Sequence, residues 1–164
     1  MTRKIGVLFV CTGNICRSPT AEGVLRHQAK LAGLEDRLLI DSAGTHGYHI
    51  GEPPDRRSVA AARKRGIDLS SLRARKVASG DFDRFDYVLA LDRGHFDLLR
   101  AACPPGHVER LSMFLSHLGE HGLHDVPDPY YGSARDFEHA LDLIERGCAA
   151  LLAHIRREHF PDHG

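Results

Sequence analysis

The sequence predicts a single-domain α/β protein in which a parallel sheet is covered by helices on both faces. Short apolar segments alternate with longer segments of helical periodicity, which is typical of parallel strands joined by crossover helices. The first strand-like segment is apolar throughout, as in strands buried on both faces. A length of 164 residues without an internal repeat or linker fits one domain, which we place at residues 1–164.

The predicted elements begin with a strand at residues 5–10 and the helix that follows it. Ser18 and Pro19 are residue types expected at the N-cap and the first position of that helix, and Gly33 is typical of a helix end. The next elements are a strand at 38–40, a helix near 55–65, a strand at 85–91, a helix at 94–102 and a weaker strand at 108–111. The last helix has the clearest apolar stripe, formed by Phe137, Leu141, Ile144, Cys148, Leu151 and Ile155.

Composition and charge argue against several classes of function. The chain carries 22 Lys and Arg and 22 Asp and Glu residues, whereas general nucleic-acid binders have a basic excess, so we expect no nucleic-acid partner. No apolar segment approaches the length of a membrane span, and the one near the N-terminus is too short for a secretion signal. We therefore expect a cytoplasmic protein with no membrane partner and with reduced cysteines, of which Cys103 and Cys148 are structural.

The loop after the first strand, at residues 11–18, has the features of a phosphate-binding site. It leads from a buried strand into a helix N-terminus, where backbone N–H groups and the helix dipole favour an anion. Gly13 permits unusual backbone angles, and Asn14 is among the few other residues that tolerate positive φ. Arg17 supplies a planar pair of donors that matches two phosphate oxygens.

Cys11 begins this loop, and the same electrostatic field favours its thiolate over its thiol. We interpret the thiolate as a nucleophile that attacks phosphorus. Ser18 then donates a hydrogen bond to the sulfur and eases its departure. The alternative interpretation of Cys11 is a buried structural cysteine beside an ordinary turn.

A general acid is also required, because an aryl or alkyl oxygen leaves poorly as an anion. Asp128 is the candidate: it stands between two prolines, and Tyr130 and Tyr131 follow it as walls for an aromatic substrate. Taken alone, this segment would be interpreted as an ordinary turn before the last helix. Together with the Cys11 loop, it predicts a cysteine-dependent phosphatase.

In combination, these motifs resemble the low-molecular-weight protein tyrosine phosphatases, and the resemblance covers nearly the whole chain. It implies a four-stranded parallel sheet and no metal or organic cofactor. It also implies that Cys11 is the nucleophile, that Arg17 binds phosphate and that Asp128 is the general acid. The segments that carry the resemblance are residues 7–19, 41–45, 53–55, 85–88 and 128–131.

The resemblance implies further roles around the loop. Asn14 would hold the loop in a strained conformation, assisted by the Ser42 hydroxyl. Cys16 would form a reversible disulfide with Cys11 that protects the nucleophile from over-oxidation, and a small buried side chain is the alternative for Cys16. Many relatives carry a histidine where Leu72 stands, so the network around Asn14 must be satisfied in another way. The phosphate-binding loop comprises Thr12, Gly13, Asn14, Ile15, Cys16 and Ser18.

Substrate choice depends on the residues that line the cleft. In the family, Ile at the position of Ile15 accompanies phosphotyrosine activity, whereas related protein-arginine phosphatases carry Thr there. Ile15 therefore favours phosphotyrosine-containing proteins or peptides as substrates, with inorganic phosphate as a product. Tyr48 lies where relatives often place an aromatic residue, and with Tyr130 and Tyr131 it would enclose a phenyl ring. The alternative for Tyr48 is an exposed loop residue.

Three other interpretations have less support in the sequence. An arsenate reductase of the same fold needs two further cysteines close together, and residues 77–92, where such relatives carry them, contain none. A non-catalytic phosphopeptide-binding module would lack the nucleophile or the acid, and both are present. His117, His121 and His124 have the spacing of zinc ligands, but the glycines among them indicate a mobile exposed turn, so we predict no metal site.

Overall fold

The computed structural model describes residues 3–161 and confirms the predicted α/β fold, with helices on both faces of a parallel sheet. Within these residues four strands lie in the order β2-β1-β3-β4, and neighbouring strands are parallel. The ends of the predicted domain, at 1–2 and 162–164, lie outside the described residues. The strands are β1 (Ile5–Cys11), β2 (Leu38–Gly44), β3 (Tyr87–Ala90) and β4 (Leu111–Met113); the α-helices are α1 (Arg17–Leu31), α2 (Arg56–Arg63), α3 (Asp81–Arg84), α4 (Arg93–Ala102) and α5 (Ala134–His159).

β1 lies in the middle of the sheet, and its side chains alternate between two hydrophobic cores. Val7 and Phe9 pack with α1 and α5 on one face. Leu8 and Val10 pack with α3 and α4 on the other face. Because successive side chains of a strand point to opposite faces, helices on both sides require apolar residues at every position of β1.

Several predicted boundaries differ from those in the structure. β2 is longer than predicted and runs to Gly44, because it pairs with β1 along its whole length. The strand predicted at 108–111 is wrong: residues 105–110 form a 3-10 helix, and β4 begins at Leu111, where pairing with Val88 of β3 begins. Helix α3, a single turn, was not predicted. The predicted alternation of strands and helices remains.

The strand order creates a crevice at the carboxyl ends of β1 and β3. The chain passes from β1 to β2 on one side, then crosses to β3 and continues to β4 on the other side. In open α/β sheets, ligands bind where the connections diverge in this way, beyond the carboxyl ends of the strands. The loop that follows β1 and the loop that follows β3 both begin at this crevice.

Candidate active site

The loop that follows β1 forms the floor of the candidate active site. Within the described residues, the amides of residues 13–16 donate no hydrogen bond to the protein, whereas three carbonyl groups of the loop accept from amides of the segment 45–55, between β2 and α2. Free amides beside a helix N-terminus make a cradle for an anion. The three outward pairs are Thr45 N to Cys11 O at 2.8 Å, His46 N to Thr12 O at 3.0 Å and Asp55 N to Ile15 O at 2.8 Å.

The buried sulfur of Cys11 contacts the hydroxyl of Ser18. Cys11 Sγ lies 2.9 Å from Ser18 Oγ, and Asn14 Nδ2 donates to the same hydroxyl at 2.8 Å. The Ser18 proton therefore points either to the sulfur or to the more distant Ala43 carbonyl at 3.4 Å, and a thiolate is the stronger acceptor. This geometry corrects the predicted N-cap, because Cys16 occupies that position and Ser18 lies inside the first turn of α1.

Asn14 forms the turn of the loop and is almost fully buried. Its φ is 59°, its Nδ2 also donates to Ser42 Oγ at 2.9 Å, and its Oδ1 accepts from Arg75 N at 2.9 Å. The positive φ thus falls on Asn14 and not on Gly13, which corrects the predicted use of that glycine. Gly13 instead allows a close approach, because a Cβ there would lie 2.9 Å from the Cδ2 atom of His49.

The network behind the loop is completed by a carboxyl group. Ser42 Oγ, which accepts from Asn14, donates to Glu22 Oε1 at 2.7 Å. Arg26 pairs with the other oxygen of Glu22 at 2.8 Å. Burial raises the pKa of the Glu22 carboxyl, and the hydrogen bonds from Ser42 and Arg26 oppose that rise. Leu72 packs against the hydrophobic core and supplies no hydrogen bond to this network.

Arg17 is 4% exposed and is anchored through one of its nitrogens. Nη1 donates to Asp92 Oδ2 at 2.8 Å and to the Val126 carbonyl at 2.9 Å. Burial alone would raise the pKa of Asp92. The pKa nevertheless lies below its usual value, because the His95 amide and Arg17 donate hydrogen bonds to the carboxylate oxygens. Nη2 lies 3.7 Å from Asp128 Oδ2. Nη1 is therefore fixed by two hydrogen bonds, whereas Nη2 faces both the His95 ring and the carboxyl group of Asp128.

Asp128 lies at the mouth of the same cleft, with its side chain 48% exposed. Its Oδ1 accepts a hydrogen bond from Tyr130 N at 3.1 Å, which orients the carboxyl group. The segment is fixed to the end of the sheet because Val126 N donates to Leu91 O at 2.9 Å. The Arg57 guanidinium lies 5.5 Å from the centre of the Tyr130 ring. These contacts hold the predicted acid opposite the loop.

A cleft of 270 Å³ opens above Cys11 and contains most of the predicted site residues. Tyr48 is exposed and stacks on His46, with ring centroids 5.0 Å apart. A larger groove of 610 Å³ between α1 and residues 66–72 contains none of these side chains, so volume alone does not identify the site. The cleft is lined by Cys11, Thr12, Gly13, Ile15, Cys16, Arg17, Tyr48, His49, Asp128, Tyr130 and Tyr131, whereas Asn14, Ser18 and Ser42 lie behind it.

All four cysteines are free thiols in the structure. Burial, and to a smaller extent the Asp55 carboxylate, raises the pKa of Cys16 to about 12. Cys148 is buried on the apolar stripe of α5, whereas Cys103 is partly exposed. The disulfide between Cys11 and Cys16 stays a prediction.

Four residues in or behind the cleft were not predicted from the sequence: His49, which lines it, and Glu22, Asp92 and His95, which lie behind it. Asp92 lies two residues after β3, at the sheet edge where the Cys11 loop begins, and that placement could have identified it from the sequence. Glu22 and His95 are single polar residues on buried helix faces, which gives a weaker signal.

Between residues 3 and 161, no helix combines the length and the apolar character needed to cross a membrane. The same residues contain no group of three His, Cys, Asp or Glu side chains placed to hold a metal ion. His117, one of the histidines with ligand-like spacing, packs against the rings of His154 and Tyr87.

Comparisons with known proteins give consistent matches along the chain. The family described as low molecular weight phosphotyrosine protein phosphatase matches residues 6–160. The chain is 42% identical over 154 residues to the low molecular weight protein-tyrosine-phosphatase YfkJ of Bacillus subtilis, covering 94% of this chain and 97% of the relative. It is 39% identical over 150 residues to the human low molecular weight phosphotyrosine protein phosphatase, covering 89% and 92%. A crystal structure of a protein tyrosine phosphatase from Entamoeba histolytica superposes with a TM-score of 0.90 at 34% identity, covering 94% of this chain and 98% of that one.

Proposed function

Because the chain belongs to the low molecular weight phosphotyrosine protein phosphatase family, we propose that Cys11 is its nucleophile, Arg17 its phosphate-binding residue and Asp128 its general acid. The protein is an enzyme that hydrolyses phosphotyrosine. The observation that supports the residue roles is that one cleft contains all three side chains at the N-terminus of α1.

The phosphate dianion binds in the cradle of free amides at residues 13–16. Arg17 adds donors from Nε and Nη2, because Asp92 and Val126 both bind Nη1. The guanidinium can therefore bind the phosphate while it stays anchored. The phosphorus atom then lies above Cys11 Sγ. Anchoring the guanidinium before substrate binds reduces the reorganisation that the transition state would otherwise require.

In the first chemical step, the Cys11 thiolate attacks phosphorus. An S–P bond forms while the bond between phosphorus and the phenolic oxygen breaks, and Asp128 gives its proton to that oxygen. The products are tyrosine and a phosphocysteine. In the second step, the Asp128 carboxylate takes a proton from water, whose oxygen attacks phosphorus. The S–P bond breaks, inorganic phosphate forms and the Ser18 hydroxyl stabilises the returning thiolate.

We propose that the substrates are proteins or peptides that contain phosphotyrosine. A phenyl ring held above Cys11 lies between Tyr48 on one side and Tyr130 and Tyr131 on the other. The two neighbouring tyrosines make an edge-to-face pair with centroids 4.9 Å apart, which gives the wall a fixed shape. Ile15 adds an apolar contact at the floor.

The discriminating experiment compares three peptides of one sequence that carry phosphotyrosine, phosphoserine or phosphoarginine. We expect the reduced protein to release phosphate fastest from the phosphotyrosine peptide, and Cys11→Ser to release none. Faster release from phosphoarginine would favour the protein-arginine phosphatase. Tight binding of the phosphotyrosine peptide without turnover would favour a phosphopeptide-binding module.

We also propose that the protein acts in the cytoplasm. The chemistry supports this location, because the nucleophile works only as a reduced thiolate and reducing compartments keep thiols in that state. Cell fractionation of the tagged full-length chain tests it: enrichment in the cytosolic fraction is expected, and enrichment in a secreted fraction would contradict it.

A further inference from the structure

His95 is a buried histidine that contacts two parts of the phosphate site. It is 4% exposed and lies in the first turn of α4, where its amide donates to Asp92 Oδ1 at 2.9 Å. Its Nε2 lies 2.8 Å from Thr12 Oγ1 and 3.4 Å from Arg17 Nη2. The catalytic steps given above make no use of this side chain, although it is the link between α4 and the loop.

The donors around the ring determine which nitrogen carries the proton. Arg17 is a permanent cation that offers only N–H groups, so Nε2 facing it must provide a lone pair. The hydroxyl of Thr12 then donates to the same nitrogen. Nδ1 has no hydrogen-bond partner among the described residues, and it lies 3.1 Å from the carboxylate oxygen Asp92 Oδ1. A proton on Nδ1 is attracted by that oxygen, whereas a lone pair would be repelled.

We infer that His95 is a positioning residue for phosphate binding, acting as a neutral imidazole that accepts hydrogen bonds through Nε2. Asp92 anchors Nη1 and His95 contacts Nη2, so both terminal nitrogens of the Arg17 guanidinium are held. One hydrogen of Nη2 and the Nε–H group then remain for two phosphate oxygens. The bond from Thr12 fixes the loop residue that follows Cys11 relative to the same guanidinium.

The charged neighbours of the ring agree with a neutral state. Arg17 and His46 oppose a proton on His95, whereas the carboxylates of Asp92 and Asp128 favour one. Burial has the largest effect and, together with Arg17, lowers the pKa of His95 to about 4. The imidazole therefore keeps its acceptor at neutral pH.

Two variants test whether His95 acts as a hydrogen-bond acceptor or only fills space. His95→Phe keeps a planar ring but has no acceptor, whereas His95→Gln keeps an acceptor oxygen at similar reach and cannot be protonated. We expect the dissociation constant of inorganic phosphate, measured by calorimetry, to rise about tenfold in H95F, which corresponds to about 1.4 kcal/mol. In H95Q we expect it to stay near the wild-type value. Thermal unfolding of both variants shows whether they are folded.

The inference rests on the proposed phosphate site, and a second measurement keeps the two separable. In the 15N spectrum of histidine-labelled wild-type protein at neutral pH, the His95 signals, identified by their loss in H95Q, should show a protonated Nδ1 and an unprotonated Nε2. A protonated Nε2, or phosphate binding by folded H95F at wild-type strength, would overturn the role of His95. Failure of wild-type protein to hydrolyse phosphotyrosine would overturn the proposed function and leave the tautomer result unaffected.

Discussion

At the scale of single residues, we expect Asp128, the proposed general acid, to determine which leaving groups the enzyme can expel. Its carboxyl group is half-exposed at the mouth of the cleft, oriented by the Tyr130 amide and 3.7 Å from Arg17 Nη2. A phenolic oxygen needs the proton of this acid, whereas an oxygen that is stable as an anion does not.

Replacing Asp128 by Ala should therefore slow poor leaving groups far more than good ones. We expect D128A to lose about 10²- to 10⁴-fold in kcat/KM with phenyl phosphate and much less with dinitrophenyl phosphate, because kcat/KM reports departure of the leaving group and not the later hydrolysis of the phosphocysteine. Steady-state rates across a series of substituted aryl phosphates give this comparison. Asp97→Ala, which removes an exposed carboxyl group on α4, is the control. Equal slowing of all substrates by D128A would remove Asp128 from the role of acid.

At the scale of elements, the phosphate loop keeps its shape because β2 and α1 support it from behind. Ser42 at the end of β2 connects Asn14 in the loop to the buried Glu22 on α1. Gly44 lets the loop lie directly against the strand, since a Cβ there would lie 2.7 Å from the Thr12 carbonyl. The loop therefore carries the positive φ of Asn14 as part of a packed structure.

Removing the Ser42 hydroxyl should weaken both the loop and the fold. Ser42→Ala leaves the Asn14 amide without one acceptor and Glu22 without one donor in a buried place. We expect a loss of about 1–3 kcal/mol in the free energy of unfolding, measured with urea, and a lower kcat/KM. Ser79→Ala, at an exposed position, is the matched control and should change neither quantity. If S42A behaved like S79A, the support assigned to this network would be wrong.

At the scale of the whole molecule, the sheet brings distant segments to one crevice. Cys11 ends β1, Asp92 and His95 come after β3, and Asp128 precedes α5. Arg17 contacts all of these segments, with bonds to Asp92 and to the Val126 carbonyl. The site is thus assembled by the tertiary fold, and its electrostatics depend on which groups the fold buries.

Burial of neutral His95 should make stability depend on pH. The unfolded chain takes up this proton near pH 6.5, whereas the folded chain takes it up only near pH 4. Between these values the unfolded state binds more protons, so the free energy of unfolding falls as the pH falls, by at most about 1.4 kcal/mol per pH unit. His95→Gln has no titrating group at this position. We therefore expect the free energy of unfolding of this variant, measured with urea, to fall less over the same pH range. Equal slopes in the two proteins would contradict a buried neutral imidazole.

The sequence alone could identify the part of the site whose residues are contiguous along the chain. A buried strand, a loop and a helix N-terminus are contiguous, so residues 11–18 could be identified as an anion site without the fold. The weaker strand was misplaced because residues 105–110 have no pattern that separates a 3-10 helix from a strand. Glu22 and His95 could not be assigned, because their partners Ser42 and Thr12 are distant in sequence and meet them only in the folded chain.

All the proposed roles depend on the transfer of phosphate through a covalent bond to Cys11. Asp128→Ala is suited to test it, because a good leaving group departs without the acid while hydrolysis of the phosphocysteine still lacks its base. D128A is mixed with dinitrophenyl phosphate, quenched with acid and digested, and the peptides are mapped by mass spectrometry. We expect one phosphate on the peptide that contains Cys11, attached to sulfur. Phosphate on another side chain, or turnover of aryl phosphate by Cys11→Ser, would contradict it.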